Sequence, residues 1–137
     1  MKAAWVAAPM ALVLAAPASG RTTSAVEARY SAAYRNCLAT GDAAKGVTSG
    51  MLDCNGTEIE RQDARLNRTY RTVMARLAPR AQAKLRASER AWIGQRDRSC
   101  RRDAAVAEGG TLASVIYSGC ILDRTIERTM WLERYRR

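Results

Sequence analysis

The feature that most restricts the fold of this chain is a pair of cysteines placed symmetrically about two glycines. Cys100 and Cys120 each lie ten residues from Gly110, and Gly109 stands directly before it. If the flanks are helical and the glycines form the turn, each cysteine lies roughly 15 Å from that turn, because a helix rises about 1.5 Å per residue. The spacing therefore predicts an antiparallel helical hairpin closed by a disulfide bond.

The N-terminal residues indicate a compartment in which disulfides form. Lys2 precedes an apolar run over residues 3–16, and small residues at 16–18 suit a signal peptidase. The run is shorter than the ~20 residues that a membrane-spanning helix needs. We interpret residues 1–18 as a cleaved secretory signal and residues 19–137 as one periplasmic or secreted domain without a transmembrane segment.

The other two cysteines follow the same logic, because Cys37 closes the predicted first helix and Cys54 opens the second. Four cysteines can pair in three ways. We predict the local pairs, Cys37 with Cys54 and Cys100 with Cys120. The spacings of 17, 46 and 20 residues and the absence of histidine do not suit zinc, so we expect neither a metal nor a cofactor.

The rest of the sequence predicts an all-α fold, since good helix formers dominate and no segment alternates as a strand does. We expect a small bundle of three long helices plus an N-terminal helix, stapled by two disulfides. The helices are predicted at about residues 24–38, 51–78, 80–107 and 111–135, with a loop at 40–50, a break at Pro79 and an N-cap at Thr111. The predicted inward-facing residues are Ile59, Leu66, Tyr70, Val73, Leu77, Leu85, Trp92, Ile93, Ile121, Leu122, Ile126 and Leu132.

The positive charge of the chain is concentrated in its middle. The formal net charge of +10 becomes +9 when Lys2 leaves with the signal. Between Arg61 and Arg102 there are thirteen Lys or Arg and three acidic residues. Such a surface favours anionic lipid or cell-wall polymer, whereas nucleic acid is disfavoured because the arginines are not interleaved with stacking aromatics. The residues proposed for this binding are Arg61, Arg65, Arg68, Arg76, Arg80, Lys84 and Arg86.

Catalysis is not indicated by any motif of this sequence. The chain has no histidine, the commonest general base. It also lacks a phosphate-binding loop and a nucleophile elbow. Carboxylate pairs such as Glu58 with Asp63 occur, but acids at helical spacing are common and do not by themselves predict glycoside hydrolysis. We therefore expect a protein that is not an enzyme.

One face of the predicted third helix carries an unusual set of side chains. Glu89, Trp92, Arg96 and Cys100 stand at offsets of 0, 3, 7 and 11 residues, which places an acid, an indole and a guanidinium beside the disulfide. Two interpretations remain open. In the first, the residues form buried ion pairs that fix how the helices dock, since a buried charge is tolerated only when paired. In the second, they bind a partner.

Several short segments in a fixed order resemble the lysozyme-inhibitor LprI family: MLDC (51–54), DARLNRTY (63–70), RAWIGQRDRSC (90–100), GGT (109–111), Cys120 and TIER (125–128). The resemblance covers about residues 34–133. It implies an exported, disulfide-bonded helical domain and, for some members, binding to lysozyme and block of its muramidase activity. We expect a non-enzymatic protein that occludes the cleft of lysozyme or of another cell-wall hydrolase. The candidate contact residues are Glu89, Trp92, Arg96, Asp97, Gly109 and Gly110.

The charge of the chain opposes one part of this expectation. Animal-type lysozymes are strongly basic, so the cationic middle of the chain would repel them at long range. The competing hypothesis is a cationic envelope protein that binds anionic lipid or polymer.

Overall fold

The computed structural model describes residues 25–135, and within this range it contains helices and no strand. The helices are α1 (Ala32–Leu38), α2 (Gly41–Ala44), α3 (Thr48–Met74), α4 (Pro79–Ala105) and α5 (Thr111–Glu133). The predicted all-α fold with three long helices is confirmed. The predicted signal at residues 1–18 lies outside the described residues.

The predicted N-terminal helix is wrong in its extent. Residues 25–27 are helical, but the chain leaves the helix and α1 starts only after Ser31. Ser31 has an extended backbone, and its hydroxyl accepts a hydrogen bond from the backbone N–H of Tyr34 at 3.0 Å. This N-cap fixes a new helix start. The predicted loop at 40–50 is also partly wrong, because it contains α2 and the first residues of α3.

The ends of the long helices follow from glycine and proline chemistry. Proline forces the preceding residue away from the helical region, and Ala78 accordingly has a ψ of 155° while Pro79 opens α4. The predicted second helix is therefore too long, since α3 ends at Met74. The N-cap of α5 is Gly110 and not Thr111, which is already helical.

Helix α5 lies at the centre of the bundle, because α3 and α4 make their extensive contacts with it and not with each other. Its residues Leu122, Ile126 and Leu132 are 0%, 1% and 0% exposed. They join two apolar clusters, one towards the N-terminal segment around Leu122 and Ile126 and one around Leu132. The hydrophobic core therefore follows α5 along its length.

Both predicted disulfides are present in the local pairing. Cys37 and Cys54 join α1 to α3 with a Cα–Cα distance of 5.8 Å. Cys100 and Cys120 join α4 to α5 at 5.5 Å. Each of the three long helices is thus covalently tied to a neighbouring element.

A buried carboxylate fastens the N-terminal segment to α3. Glu58 is fully buried, and it accepts hydrogen bonds from the backbone N–H of Ser31 at 2.9 Å and from its hydroxyl at 2.6 Å. Gln62 and Arg61 donate to the same carboxylate at 2.8 and 3.2 Å. Burial alone would raise the pKa of Glu58, but the hydrogen bonds from Ser31, Gln62 and Arg61 hold it below its ordinary value.

Substitution of this carboxylate should destabilise the protein. We expect Glu58→Gln to lower the free energy of unfolding by about 1–3 kcal/mol in urea titrations at pH 7, because buried donors lose a charged acceptor. Glu60→Gln, on the exposed side of the same helix, is the matched control and should change little.

The same residue should contribute to acid sensitivity. A lowered pKa in the folded state means that the unfolded chain binds the proton more readily, so the stabilisation is lost as the pH falls below about 4.3, the usual pKa of Glu. Glu58→Gln should therefore lose less stability than the wild type between pH 7 and pH 3. Equal losses would contradict this assignment.

Candidate functional site

The polar side chains predicted on α4 form a cluster with an arginine of α5. Arg128 donates from Nε to Oε1 of Glu89 at 2.8 Å and from a terminal nitrogen to the Ser88 hydroxyl at 2.8 Å. The two charged side chains are only 10% and 13% exposed. The Arg128 guanidinium also lies 3.8 Å from the ring centre of Trp131 and 5.5 Å from that of Trp92. Its hydrogen-bonding and stacking capacity is thus largely used inside the protein.

Arg96 and Asp97 complete the cluster towards the solvent. Arg96 donates from Nε to Asp97 at 2.9 Å and lies 5.0 Å from the ring centre of Trp92. The structure therefore brings together four of the predicted contact residues, Glu89, Trp92, Arg96 and Asp97. It also adds Arg128, which the candidate set lacked because the partner of Glu89 lies 39 residues away in the sequence. Because Glu89 belongs to a buried ion pair, its position fits the interpretation that such pairs fix how the helices dock.

The buried pair yields a test of that docking role. We expect Arg128→Met to lower the free energy of unfolding by about 3–5 kcal/mol, because it leaves the Glu89 carboxylate buried without a partner. The double variant Glu89→Gln/Arg128→Met should recover part of this loss. Arg124→Met, which breaks the exposed pair of Arg124 with Glu127, should cost less than about 1 kcal/mol.

Urea titrations of the three variants and the wild type measure these differences. If the single and the double variant at the buried pair are equally unstable, the pair does not fix the docking of α4 on α5.

The other two predicted contact residues lie elsewhere, at the turn between α4 and α5. Gly109 has a φ of +76°, and the preceding Glu108 has a φ of +50°, which is costly for a residue with a side chain. Asp97 is eight residues before the end of α4, so the turn lies more than roughly 12 Å from it along the helix. Gly109 and Gly110 thus belong to a separate region, which we call the hairpin tip (residues 105–113).

The hairpin tip presents apolar side chains to the solvent. Val106 is 77% exposed and Leu112 is 53% exposed. Behind them lies an open cavity of about 520 Å³ with a largely apolar lining that includes Leu52, Ala104 and Tyr117. Both side chains therefore belong to a short turn that also borders an apolar cavity, and exposed apolar surface of this kind is typical of contact surfaces when it is contiguous.

The tip also differs from the rest of the chain in charge. Residues 105–113 contain one acidic residue, Glu108, and no Lys or Arg. Glu108 is exposed at the turn itself. The cationic stretch that begins at Arg61 ends just before the tip, and its Arg101 lines the cavity behind the tip.

The predicted cationic face is smaller than the sequence suggested. Arg61 pairs with the buried Glu58 at 3.2 Å, and Arg65 pairs with Glu133 at 3.2 Å. Within residues 25–135, the other five members have no acidic side chain within 4.0 Å. Binding of anionic lipid or polymer through this face stays a prediction.

The described residues contain neither a cluster of side chains that could hold a metal ion nor a helix long and apolar enough to cross a bilayer. The fold and its surfaces define a class of small all-α domains that are held by two disulfides. The chain belongs to the lysozyme inhibitor LprI family, whose model matches residues 37–132.

The chain also has a curated relative, which is itself uncharacterized. The chain is similar to an uncharacterized protein of Rhizobium meliloti (strain 1021), with 32% identity over 106 residues that cover 67% of this chain and 76% of the relative. No solved structure matches the chain.

Proposed function

We propose that this protein is an exported, non-catalytic inhibitor of a lysozyme-type muramidase, and that its hairpin tip occludes the cleft of the enzyme. Membership of the lysozyme inhibitor family supports the class of target. The observation that carries the mechanism is the exposure of Val106 and Leu112 on a protruding turn. The two disulfides fit an oxidising compartment such as the periplasm or the exterior of the cell.

The tip has the rigidity that an inhibitor needs. The Cys100–Cys120 disulfide joins the two helices of the hairpin about three helical turns below the glycines. A contact surface that is already ordered loses little conformational entropy on binding. Glu108 has a left-handed backbone, which is costly for a residue with a side chain, and such strained residues are concentrated at functional sites.

The charge of the tip suits a basic partner. The net charge of the whole chain would repel a basic lysozyme, but the tip itself carries one exposed acid, Glu108, and no Lys or Arg. Complementary charge at the contact surface favours correct orientation and specificity. The tip therefore presents less positive charge to a basic enzyme than the preceding part of α4 does, and Arg101 is the basic residue that lines the cavity beside it.

The apolar part of the tip should carry affinity. We expect the double variant Val106→Ser/Leu112→Ser to weaken inhibition at least about tenfold, since each buried apolar side chain contributes roughly 1.5–3 kcal/mol. The measurement is a muramidase assay with the oxidised protein and lysozymes of basic and of acidic surface. Thermal unfolding should be nearly unchanged, because both side chains are exposed in the free protein.

If the wild type inhibits neither lysozyme at micromolar concentration, the proposed function is wrong. If the wild type inhibits and the double variant inhibits equally well, the function stands but the tip is not the contact surface.

The acidic part of the tip should influence the choice of enzyme. We expect Glu108→Lys to weaken inhibition of the basic lysozyme more than Glu60→Lys, although both variants change the net charge by the same amount. Glu60 is exposed on α3 and lies outside the tip, so it controls for long-range effects. Equal weakening by the two variants in the same assay would show that only the total charge matters.

A further inference from the structure

A groove between α3 and α4 has features of a second binding site, and Glu89, Trp92 and Arg96 of the cluster described above also line it. Helices α3 and α4 both pack against α5 and leave between them a cavity of about 440 Å³, a volume within the range of small-molecule sites. Helix α3 contributes Asp63, Asn67 and Tyr70 to its lining, and α4 contributes Arg86 and Arg90. We call this cavity the α3–α4 groove.

One wall of the groove carries two arginines that the fold does not use. Arg86 and Arg90 are four residues apart on α4, so they are neighbours on its surface, and like charges at this spacing are destabilising. Among residues 25–135, no acidic side chain lies within 4.0 Å of either guanidinium. The acid beside them in the lining, Glu89, is held by Arg128 at 2.7 Å. Two guanidinium groups with free donors form a site for a carboxylate.

The opposite wall offers hydrogen-bond acceptors. Asn67 donates from Nδ2 to Oδ2 of Asp63 at 3.0 Å, which leaves the other Asp63 oxygen and the Asn67 carbonyl oxygen without a partner in the described residues. The Tyr70 hydroxyl is also unpaired there. These atoms suit a ligand that brings several hydroxyl groups.

The floor between the two walls is apolar and aromatic. Leu66 is 6% exposed, Trp92 and Tyr70 are partly buried, and Ile93 is 44% exposed although its spacing predicts an inward position. Binding sites for small molecules combine such a lining with a few polar groups that fix orientation. The floor can accept the C–H face of a ring.

From these features we infer that the α3–α4 groove binds an acidic saccharide, a sugar ring that carries a carboxylate. Arg86 and Arg90 bind the carboxylate, and the opposite wall of Asp63, Asn67 and Tyr70 accepts hydrogen bonds from the hydroxyl groups. The ring lies on the apolar floor. This site is separate from the hairpin tip, and its function does not depend on inhibition of an enzyme.

Two sugars that differ by one carboxylate test the inference. N-acetylmuramic acid has the ring of N-acetylglucosamine with an added carboxylate-bearing ether. Titration calorimetry with the oxidised protein should show saturable one-site binding of N-acetylmuramic acid, and N-acetylglucosamine should bind at least about tenfold more weakly, because charge-assisted hydrogen bonds are lost. Equal binding of both sugars, or no saturable binding at millimolar concentration, would overturn the inference.

Matched variants locate the site. Arg86→Gln/Arg90→Gln should weaken binding of N-acetylmuramic acid at least about tenfold. Arg68→Gln/Arg76→Gln removes the same charge from α3 and the turn that follows it, at residues that do not line the groove, and it should bind as the wild type does. Equal weakening by both double variants would also overturn the inference, since it would indicate a general effect of net charge.

Two further measurements keep this inference apart from the proposed inhibition. Circular dichroism should show that neither double variant melts at a lower temperature than the wild type, as expected for exposed side chains. The tip variant Val106→Ser/Leu112→Ser should bind the sugar normally, whereas loss of sugar binding in that variant would place the site at the tip and refute the groove.

Discussion

The burial of α5 between the two other long helices is the constraint on which the rest of the structure depends. Leu122, Ile126 and Leu132 are almost completely buried, and both apolar clusters include residues of α5. Because α3 and α4 direct their apolar faces to α5, they have little apolar surface left for each other. The α3–α4 groove and its polar walls follow directly from this arrangement. The hairpin tip is the point at which the chain leaves α4 and turns back into the central helix α5.

Polar residues inside this core fix the register of the helices. Asn55 is 4% exposed; it accepts a hydrogen bond from the Tyr34 hydroxyl at 2.7 Å and donates to the Ser118 hydroxyl at 2.8 Å. One side chain thus joins α1, α3 and α5. In the described residues no buried side-chain polar atom lacks a partner. Since an unpaired buried group costs about 1–3 kcal/mol, a shifted register would be penalised at each of these contacts.

The sequence predicted those parts of the fold that depend on local spacing. The glycine pair and the cysteines predicted the hairpin and its disulfide, and helical periodicity identified Leu66, Val73 and Leu77, which are buried. Periodicity also placed Ile93 inward, but Ile93 faces the gap between α3 and α4. A single helix pattern shows which side is apolar and not which neighbour covers it. The sequence therefore could not predict a groove that exists because two helices share one partner.

The same limit applies to the site residues. Glu89 and Arg96 were recognised from their spacing on one helix, whereas Arg128 belongs to the cluster only because α5 returns alongside α4. The separation of Gly109 and Gly110 from the other candidates is likewise a consequence of distance along α4. Residues that the sequence places on one face of a helix therefore do not necessarily belong to one site.

Net charge is a poor guide to what this molecule can contact. At physiological ionic strength the field of an exposed charge is screened within about 8 Å, which is shorter than the roughly 22 Å of helix between Arg90 and the end of α4. The acidic tip and the cationic groove therefore act as separate surfaces. The overall positive charge should reduce the rate at which a basic partner is encountered, while the groups at the tip determine how long it stays bound. The proposed contact with a basic protein at the tip and the proposed binding of an anionic ligand in the groove are therefore both compatible with a formal net charge of +10.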